Sequence, residues 1–576
     1  MVSRTRVLVI FTALSLSIML AIGCTPAQQP VTPGGEVQTG RTEAPPSVTM
    51  EVAGQRGGKF TFTDPGVGVA FGSPNDPHLV ITGSGRVYSV PATNGLLTRD
   101  IYDPNLKIIP ELFEKWEISK DGLTYTFKVR QGVKFHNVPP VNGREFTSED
   151  AKYTLLRITA DPSVVSEKNK PRFQRRLDFG SIKSIDAPDK YTLVVNLKEP
   201  YAPFMDAISH PGTVAIPKEF VDKFEGGFIL EGMVGTGAFM PTEYRHQQLA
   251  AYKKNPDYWK KDSKGGALPY LDEVQVLHYA DVQTALSAFR SRQLDSTIGG
   301  GITKGVLASL NTEMPGVRVL SSPAANITQY RFNMKFKPFQ DVRVRRAIHL
   351  ALDRHQMLEI IAEGKGVVAG PVTPLFKDVS NTMDWLLQQP GYRKDKKQDI
   401  EEAKRLLKEA GYGDGLAINA MFLTGTAGAD YAALLADQLK AINVTVKSEQ
   451  VDYAGVWIPR SVNQEFELSW MGHVYNLDAD SVLSAHLHTS GGRNYGKFND
   501  PKLDEMIDKQ RTVVDPEERR KWAQEAEKYL LETVPIAFLF AGETTLLAQP
   551  WAHNMTVNLI SGGAYNSFEY AWMDKH

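Results

Sequence analysis

Within sixteen positions the sequence places His473, Asp478, Asp480, His486 and His488. Imidazoles and carboxylates are the ligands that borderline transition metals take. Their spacing matches no closed structural site, and the competing reading has the two Asp residues turning the backbone and the histidines bonding carbonyls; no bound metal or cofactor is expected. Glu465 with Glu467, and Asp478 with Asp480, are paired acids of the kind general acid–base chemistry uses. Such a pair shares a face on a strand but need not on a loop, so a secreted hydrolase stays open as an alternative. Trp470 and Tyr475 offer flat rings for a solute, with His473 beside them as a hydrogen-bonding partner. Trp470 fits a core strand, Phe466–Met471, equally well. Arg493 and Asn494 follow Ser490-Gly491-Gly492, where an Arg can clamp a carboxylate bidentately or sit in solvent. Gly299–Gly305 resembles a phosphate loop, but Lys304 precedes the last Gly instead of following it, which reads as a turn. There is no Cys pair, no His-Glu-x-x-His and no G-x-S-x-G. The chemistry offered is that of binding, and no enzyme is expected.

Cys24 is the one cysteine of 576 residues. Arg4 and Arg6 precede an uncharged run, Val7–Leu20, and Ala21-Ile22-Gly23 leads to the thiol. That is the order of a secretory n-region, h-region and cleavage site, with 1–23 as the signal peptide. A cysteine just after the cleavage point resembles a bacterial lipobox, although Ala21 stands where Leu is usual. A lipid on Cys24 would anchor the chain to the outer face of a membrane, in the periplasm or its equivalent. The apolar run is shorter than the about 20 residues a spanning helix needs. Residues 24–57, with Pro26, Pro30, Pro33, Pro45 and Pro46, lack the large apolar side chains that would repay ordering, and read as a tether. Net charge is −1, so no overall field gathers nucleic acid, and no nucleic-acid partner is expected.

The elements that must position these residues follow two periods. Leu123, Tyr125, Phe127 and Val129 alternate with polar residues, and Gln131-Gly132 suggests a hairpin returning through Val133 and Phe135. A second hairpin is predicted over Ile182–Leu197, turning at Pro188-Asp189. Thr147-Ser148-Glu149-Asp150 resembles a capping box for a helix through Arg157. Val344, Ala347, Ile348, Ala351 and Leu352 form one helical stripe. Asp399 is expected to cap a helix that stops at Gly411, and another helix, Tyr431–Lys440, leads into a strand at Val444. Asp515-Pro516-Glu517-Glu518 opens a helix running to Thr533. Strands alternating with helices beside isolated hairpins predict α/β with an α+β insertion.

Seven blocks recur in one order: Leu106–Tyr153, Tyr191–Met205 with Y-A-P-F-M, V-G-T-G-A-F and K-N-P-D-Y-W within Val234–Trp259, Leu268–Asp272, Tyr330–Asn333 with P-F-Q-D-V-R after it, Asp399–Tyr412, and Ser490–Asp504. Together they resemble family 5 of the extracellular solute-binding proteins, the peptide- and nickel-binding components of ABC importers. The resemblance implies a periplasmic-binding-protein-like fold of two lobes joined by a hinge. It implies a base domain of lobe one from 58–92, 233–305 and 538–576, an inserted domain at 93–232, and lobe two at 306–537. It also implies a monomer that hands its cargo to permease subunits with their ATPases. A receptor that only senses occupancy is the remaining alternative.

The same resemblance points to a cleft lined by Trp470, His473, Tyr475, Arg493 and Asn494, with Tyr330 and Asn333 near the inter-lobe crossing. Gly235-Thr236-Gly237 either brings backbone and Thr236 to the ligand or forms a plain turn. Asp478-Ala479-Asp480 resembles the D-P-D of peptide-binding relatives, which hold the ligand's amine on an acid shortly before it. Tyr475 occupies that place, and a phenol does not replace a carboxylate there. The expected cargo is therefore a peptide whose amine is held elsewhere, then an oligosaccharide stacked on Trp470 and Tyr475, then a nickel chelate.

Overall fold

The computed structural model describes residues 51–63, 76–79, 89–103, 106–224, 232–245, 248–279, 281–299, 302–373, 376, 379–424, 427–474, 478–557 and 568–574. The expected signal peptide, Cys24 and most of the expected tether lie outside them. The end of that tether does not behave as one. Glu51 N donates to Asn554 Oδ1 (3.0 Å), Asn554 Nδ2 returns a bond to Glu51 O (2.7 Å), and Gly57 N donates to Tyr270 O (2.8 Å). These backbone groups find partners on the folded body, so the described end of the expected tether belongs to that body.

The body begins in β1 (Lys59–Thr63), whose Phe60 and Phe62 are fully buried on alternate positions. A smaller part follows: β2 (Leu97–Arg99) pairs with β3 (Ile108–Pro110), and β4 (Phe113–Ile118), β5 (Thr124–Val129), β6 (Ile182–Asp189) and β7 (Thr192–Leu197) form a sheet in the order β4-β5-β7-β6. The expected face of β5 is correct, since Tyr125, Phe127 and Val129 are buried, but its partner is not the return strand. β5 pairs with β4 and β7. Val133 and Phe135 instead bond the loop at Arg144–Phe146, because the chain leaves at His136 toward Gly235. The second hairpin forms, with its turn at Lys190-Tyr191, where Asp189 Oδ1 accepts from Tyr191 N (2.8 Å). Thr147 and Asp150 form the capping box of the helix Ser148–Ile158.

The chain returns through β8 (Phe239–Arg245), β9 (Leu249–Lys254), β10 (Glu273–Leu277) and β11 (Ser296–Gly299), then enters the long β12 (Arg318–Phe332). Beyond it lie β13 (Gly366–Val368), β14 (Leu416–Leu423), β15 (Val444–Val451) and β16 (Leu468–Val474). The long β17 (Ile536–Ala548) comes back, and β18 (Ala552–His553) pairs with β19 (Trp572–Met573). The large sheet runs β15-β14-β16-β12-β17-β11-β1-β10-β9-β8, with β13 on β17. β14 and β15 are parallel, as the crossover helix Gly428–Lys440 between them requires. The helices Val342–Ala351 and Pro516–Thr533 match expectation. The helix expected to be capped by Asp399 begins at Lys397; buried Asp399 instead accepts from Gly391 N and Lys396 Nζ (2.9 and 2.8 Å).

The two largest bodies of core lie along this sheet. One holds Phe60, Phe62, Phe127, Phe204 and Leu546, and the other Tyr330, Phe332, Leu468, Trp470 and Phe540. β12 and β17 run from one to the other: Arg318–Pro323 pairs with Glu543–Ala548, and Ile327–Arg331 with Ile536–Ala541. The register breaks between Pro323 and Ile327, where the strands pass between the lobes. Among the described residues no helix is long and apolar enough to cross a membrane.

Lobe two carries one buried carboxyl with a consequence for stability. Glu527, on the helix Pro516–Thr533, is 1% exposed, and its Oε2 accepts from Asn381 Nδ2 (2.7 Å) and Asn381 N (3.2 Å). Burial outweighs those donors and pushes the carboxyl up to about 7 from 4.5. Because the folded value is the higher, the contribution to stability is full below about pH 4.5 and is lost as pH rises through 7, a swing of roughly 3 kcal/mol. Urea unfolding at pH 5 and pH 8 should show Glu527→Gln flattening this decline and exceeding the unsubstituted chain at pH 8. An unchanged pH dependence would mean that Glu527 does not govern it.

Candidate binding site between the lobes

β16 ends at Val474, and residues 475–477, with Tyr475, lie outside the described residues. The chain resumes at Asp478, whose Oδ1 accepts from Asp480 N (2.8 Å) and which takes the Arg519 guanidinium at 2.7 Å. Asp480 accepts from Gln510 Nε2 (2.6 Å) and Ser484 Oγ, and pairs with Arg511 (3.2 Å). Both carboxylates are buried, so these ion pairs offset the loss of water. Burial pushes Asp480 up, against the pull of Arg511.

Lobe one meets this loop with the segment Glu199–Ala207. Tyr201 Oη donates to Asp480 Oδ2 (3.1 Å), Ala202 N donates to Arg511 O (2.8 Å), and the Arg511 guanidinium lies 5.2 Å from the Tyr201 ring centre. Burial, with the charge of Asp480 beside it, pushes the Tyr201 phenol well up, so it stays a donor. Between the two sides lies a cavity of about 410 Å³, walled by Leu177, Asp178, Glu199 and Asp206 from lobe one and by Asp478, Ala485, His488 and Asp508 from lobe two. Arg175 pairs with Asp178 and Arg99 with Asp206. Glu199 is exposed and has no basic partner among the described residues, so the wall carries surplus negative charge.

The expected site residues divide. Trp470 is 5% exposed and packs on Tyr431 (ring centres 4.5 Å apart) and Phe422 (6.3 Å). It is a core residue of lobe two and offers no face to a solute. Tyr330 is fully buried and its hydroxyl donates to Tyr431 O (3.1 Å). Asn333 spends its amide on Gln464 O (3.1 Å) and Phe466 O and accepts from Lys335 N. Asn494 likewise bonds Phe498 O (2.7 Å), His488 O and Phe498 N. Both Asn side chains staple loops, because each sits where the backbone turns and leaves carbonyls to satisfy.

Thr236 is buried, donating to Asn94 Oδ1 (3.1 Å). A Cβ on Gly235 would lie 2.4 Å from Ala92 O and one on Gly237 2.3 Å from Ala92 C. The close approach these glycines permit is therefore to the chain's own backbone. His473 lies in β16 opposite Ile327. Arg493 is half-buried, its guanidinium has no partner among the described residues, and its charge is felt by Arg175 of lobe one and by Tyr453 of lobe two.

The cluster of His and Asp residues disperses. His486 Nδ1 lies 3.0 Å from Arg331, His488 faces Asp508 (3.5 Å), and the two Asp residues are held by arginines. Among the described residues no three His, Cys, Asp or Glu side chains converge as a metal set. Sequence reasoning missed Tyr201, Asp206, Arg511 and Arg519. Tyr201 stood within Y-A-P-F-M, but Arg511 and Arg519 lie on helices whose charges read as solvated faces.

Comparison with known proteins agrees with this architecture. The profile of the bacterial extracellular solute-binding proteins, family 5, matches residues 107–494. Di/tripeptide-binding protein 2 of Pseudomonas aeruginosa is 29% identical over 449 residues, 74% of this chain and 80% of that protein. Heme-binding protein A of Haemophilus influenzae is 28% identical, covering 74% and 78%. The periplasmic binding protein DppA of Helicobacter pylori, solved with the peptide STSA, superposes with a TM-score of 0.76 at 24% identity, over 90% of this chain and 99% of that one. With a two-lobed fold crossed by paired strands and a profile match over most of its length, the chain belongs to the bacterial extracellular solute-binding proteins of family 5.

Proposed function

We propose that this protein captures a short peptide between its lobes and delivers it, intact, to the permease of an ABC importer. The observation that carries the reading is the half-buried guanidinium of Arg493, without a partner among the described residues, which follows Ser490 and Gly491 of the cavity wall and lies near enough to lobe one for its charge to act on Arg175. It supplies the cation for a peptide carboxylate, and the surplus acids of the cavity wall, Glu199 and Asp508 at its rim, supply anions for the ammonium. Relatives and structural neighbours named for di- and tripeptides support the peptide class. The oligosaccharide reading rested on Trp470 and Tyr475; Trp470 is packed in the core, which leaves it only Tyr475, outside the described residues.

Mass spectrometry of solute released from the purified protein, followed by calorimetry with di- and tripeptides, tests the assignment. A charge-assisted bond is worth about 1.5–3 kcal/mol, so Arg493→Ala should weaken peptides with a free carboxylate by roughly 10- to 100-fold and spare their C-terminal amides. Equal affinities in both proteins, or a released sugar or heme with no peptide binding, would overturn it.

The working body is proposed to act as a monomer, held at the outer face of the membrane by a lipid on Cys24. The uncharged run before that cysteine, the lipobox-like order and the Pro-rich stretch after it support the anchor. Cys24→Ser should abolish incorporation of labelled fatty acid and shift the protein out of the membrane fraction. Unchanged fractionation of the substituted chain would remove the anchor from this account.

A further inference from the structure

The contacts between the Tyr201–Asp206 segment of lobe one and the Asp478–Arg519 region of lobe two have two characters. Tyr201 Oη to Asp480 (3.1 Å) and Ala202 N to Arg511 O (2.8 Å) hold the lobes together. Asp206 works against them. Its carboxylate is paired within lobe one with Arg99, and it lines the same cavity as Asp478, which is paired within lobe two with Arg519. Each lobe thus brings its own Arg–Asp pair, and closing puts both carboxylates on one cavity, where the charge of Asp478 acts on Asp206. The remaining charges around the cavity are Asp178, Glu199, Asp480, Asp508, His488 and Arg511. Asp178 is committed to Arg175, Asp480 to Arg511, and Asp508 faces His488. The charges that act most strongly on Asp206 are those of Asp478, Arg99 and Arg519.

We propose that this junction is a proton-dependent clasp: closure of the lobes is accompanied by uptake of a proton at Asp206, so that mild acid favours the closed form. Burial, and then the charge of Asp478, push the Asp206 carboxyl up to about 6, while Arg99 and Arg519 oppose the rise without cancelling it. When the lobes part, Asp478 leaves and water returns, so the carboxyl falls back toward its ordinary value near 3.8. The closed state therefore has the higher affinity for the proton. The closed-to-open ratio is highest at acid pH and falls as pH rises through 6, by about tenfold between pH 5 and pH 7.5. In the capture reading, such a clasp makes retention of any solute tighter at mildly acid pH. The clasp rests on that reading only in requiring that the lobes open and close.

The test needs no solute. The full chain carrying Cys24→Ser is spin-labelled at Lys198→Cys and Lys509→Cys, exposed positions flanking the two sides of the cavity. Pulsed electron resonance then gives the open and closed populations at pH 5 and 7.5. The expected result is the tenfold fall; Asp206→Asn should hold the ratio at its acid value across the range. Tyr201→Phe should lower the ratio at both pH values and keep the slope. A slope that survives Asp206→Asn, or no slope in the parent, overturns the proposal. Should Asp206→Asn fail to fold, the carboxyl ¹³C shift of Asp206 in the parent decides: a midpoint near 6 supports the clasp and one below 4.5 refutes it. Because no cargo enters the experiment, a wrong cargo assignment leaves its outcome unchanged.

Discussion

Everything in this molecule hangs on the pairing of β12 with β17. These two strands carry the main chain between the cores, and they are hydrogen-bonded to each other on both sides of the crossing. A single strand passing between two bodies would let them twist; two strands in register resist that and leave bending as the soft motion. The register breaks between Pro323 and Ile327 fall where bending is needed. Burial fixes the ends of the crossing. Leu546 and Ala548 sit in one core, and Leu539 and Phe540 in the other. Neither strand can slip without exposing apolar side chains at both ends, at about 2 kcal/mol or more for each Leu or Phe.

The edge of the cleft is built on the opposite principle. Its bonds are polar, one backbone bond, one phenol–carboxylate bond and a ring–guanidinium contact, beside local apolar contacts of Val514 with Gly122 and of Leu177 with Gly492. Apolar surfaces of similar size would hold the lobes shut, since burial of hydrocarbon is favourable wherever it fits. Polar groups with partners at home exchange water for protein at small net gain. Asp478 with Arg519 and Asp206 with Arg99 are satisfied within their own lobes before the lobes meet. That arrangement permits reversible contact, because no charge is stranded when it breaks.

Most of the fold was legible because local rules and tertiary demands agreed. The capping box at Thr147, the N-cap at Asp515 and the stripe from Val344 to Leu352 each named a helix that the structure contains. Strand pairing was less legible. The alternation of Tyr125, Phe127 and Val129 states which face is buried but not which strand lies alongside, and β7, more than sixty residues away, supplies that partner. The binding residues were least legible. Asn333, Asn494 and Thr236 have the chemistry of ligand contacts, yet carbonyls and an amide of their own chain use that chemistry. Nothing local distinguishes an amide that staples a loop from one that waits for a solute. Arg493 differs only in lacking a partner among the described residues, which is a property of three-dimensional surroundings. Tyr201 and Arg511 meet across more than three hundred positions, beyond the reach of any motif.

The fastening of Glu51 and Gly57 has a mechanical meaning. Both residues bond groups of lobe one, Asn554 and Tyr270. Any pull arriving along the upstream chain would thus enter the body at one lobe, through these bonds. Lobe two is reached from there through the paired strands and, while the cleft is shut, through the Tyr201–Asp480 and Ala202–Arg511 bonds. If the chain ahead of Glu51 is anchored as proposed, a drag on it enters the body at lobe one and not at the crossing where the lobes bend.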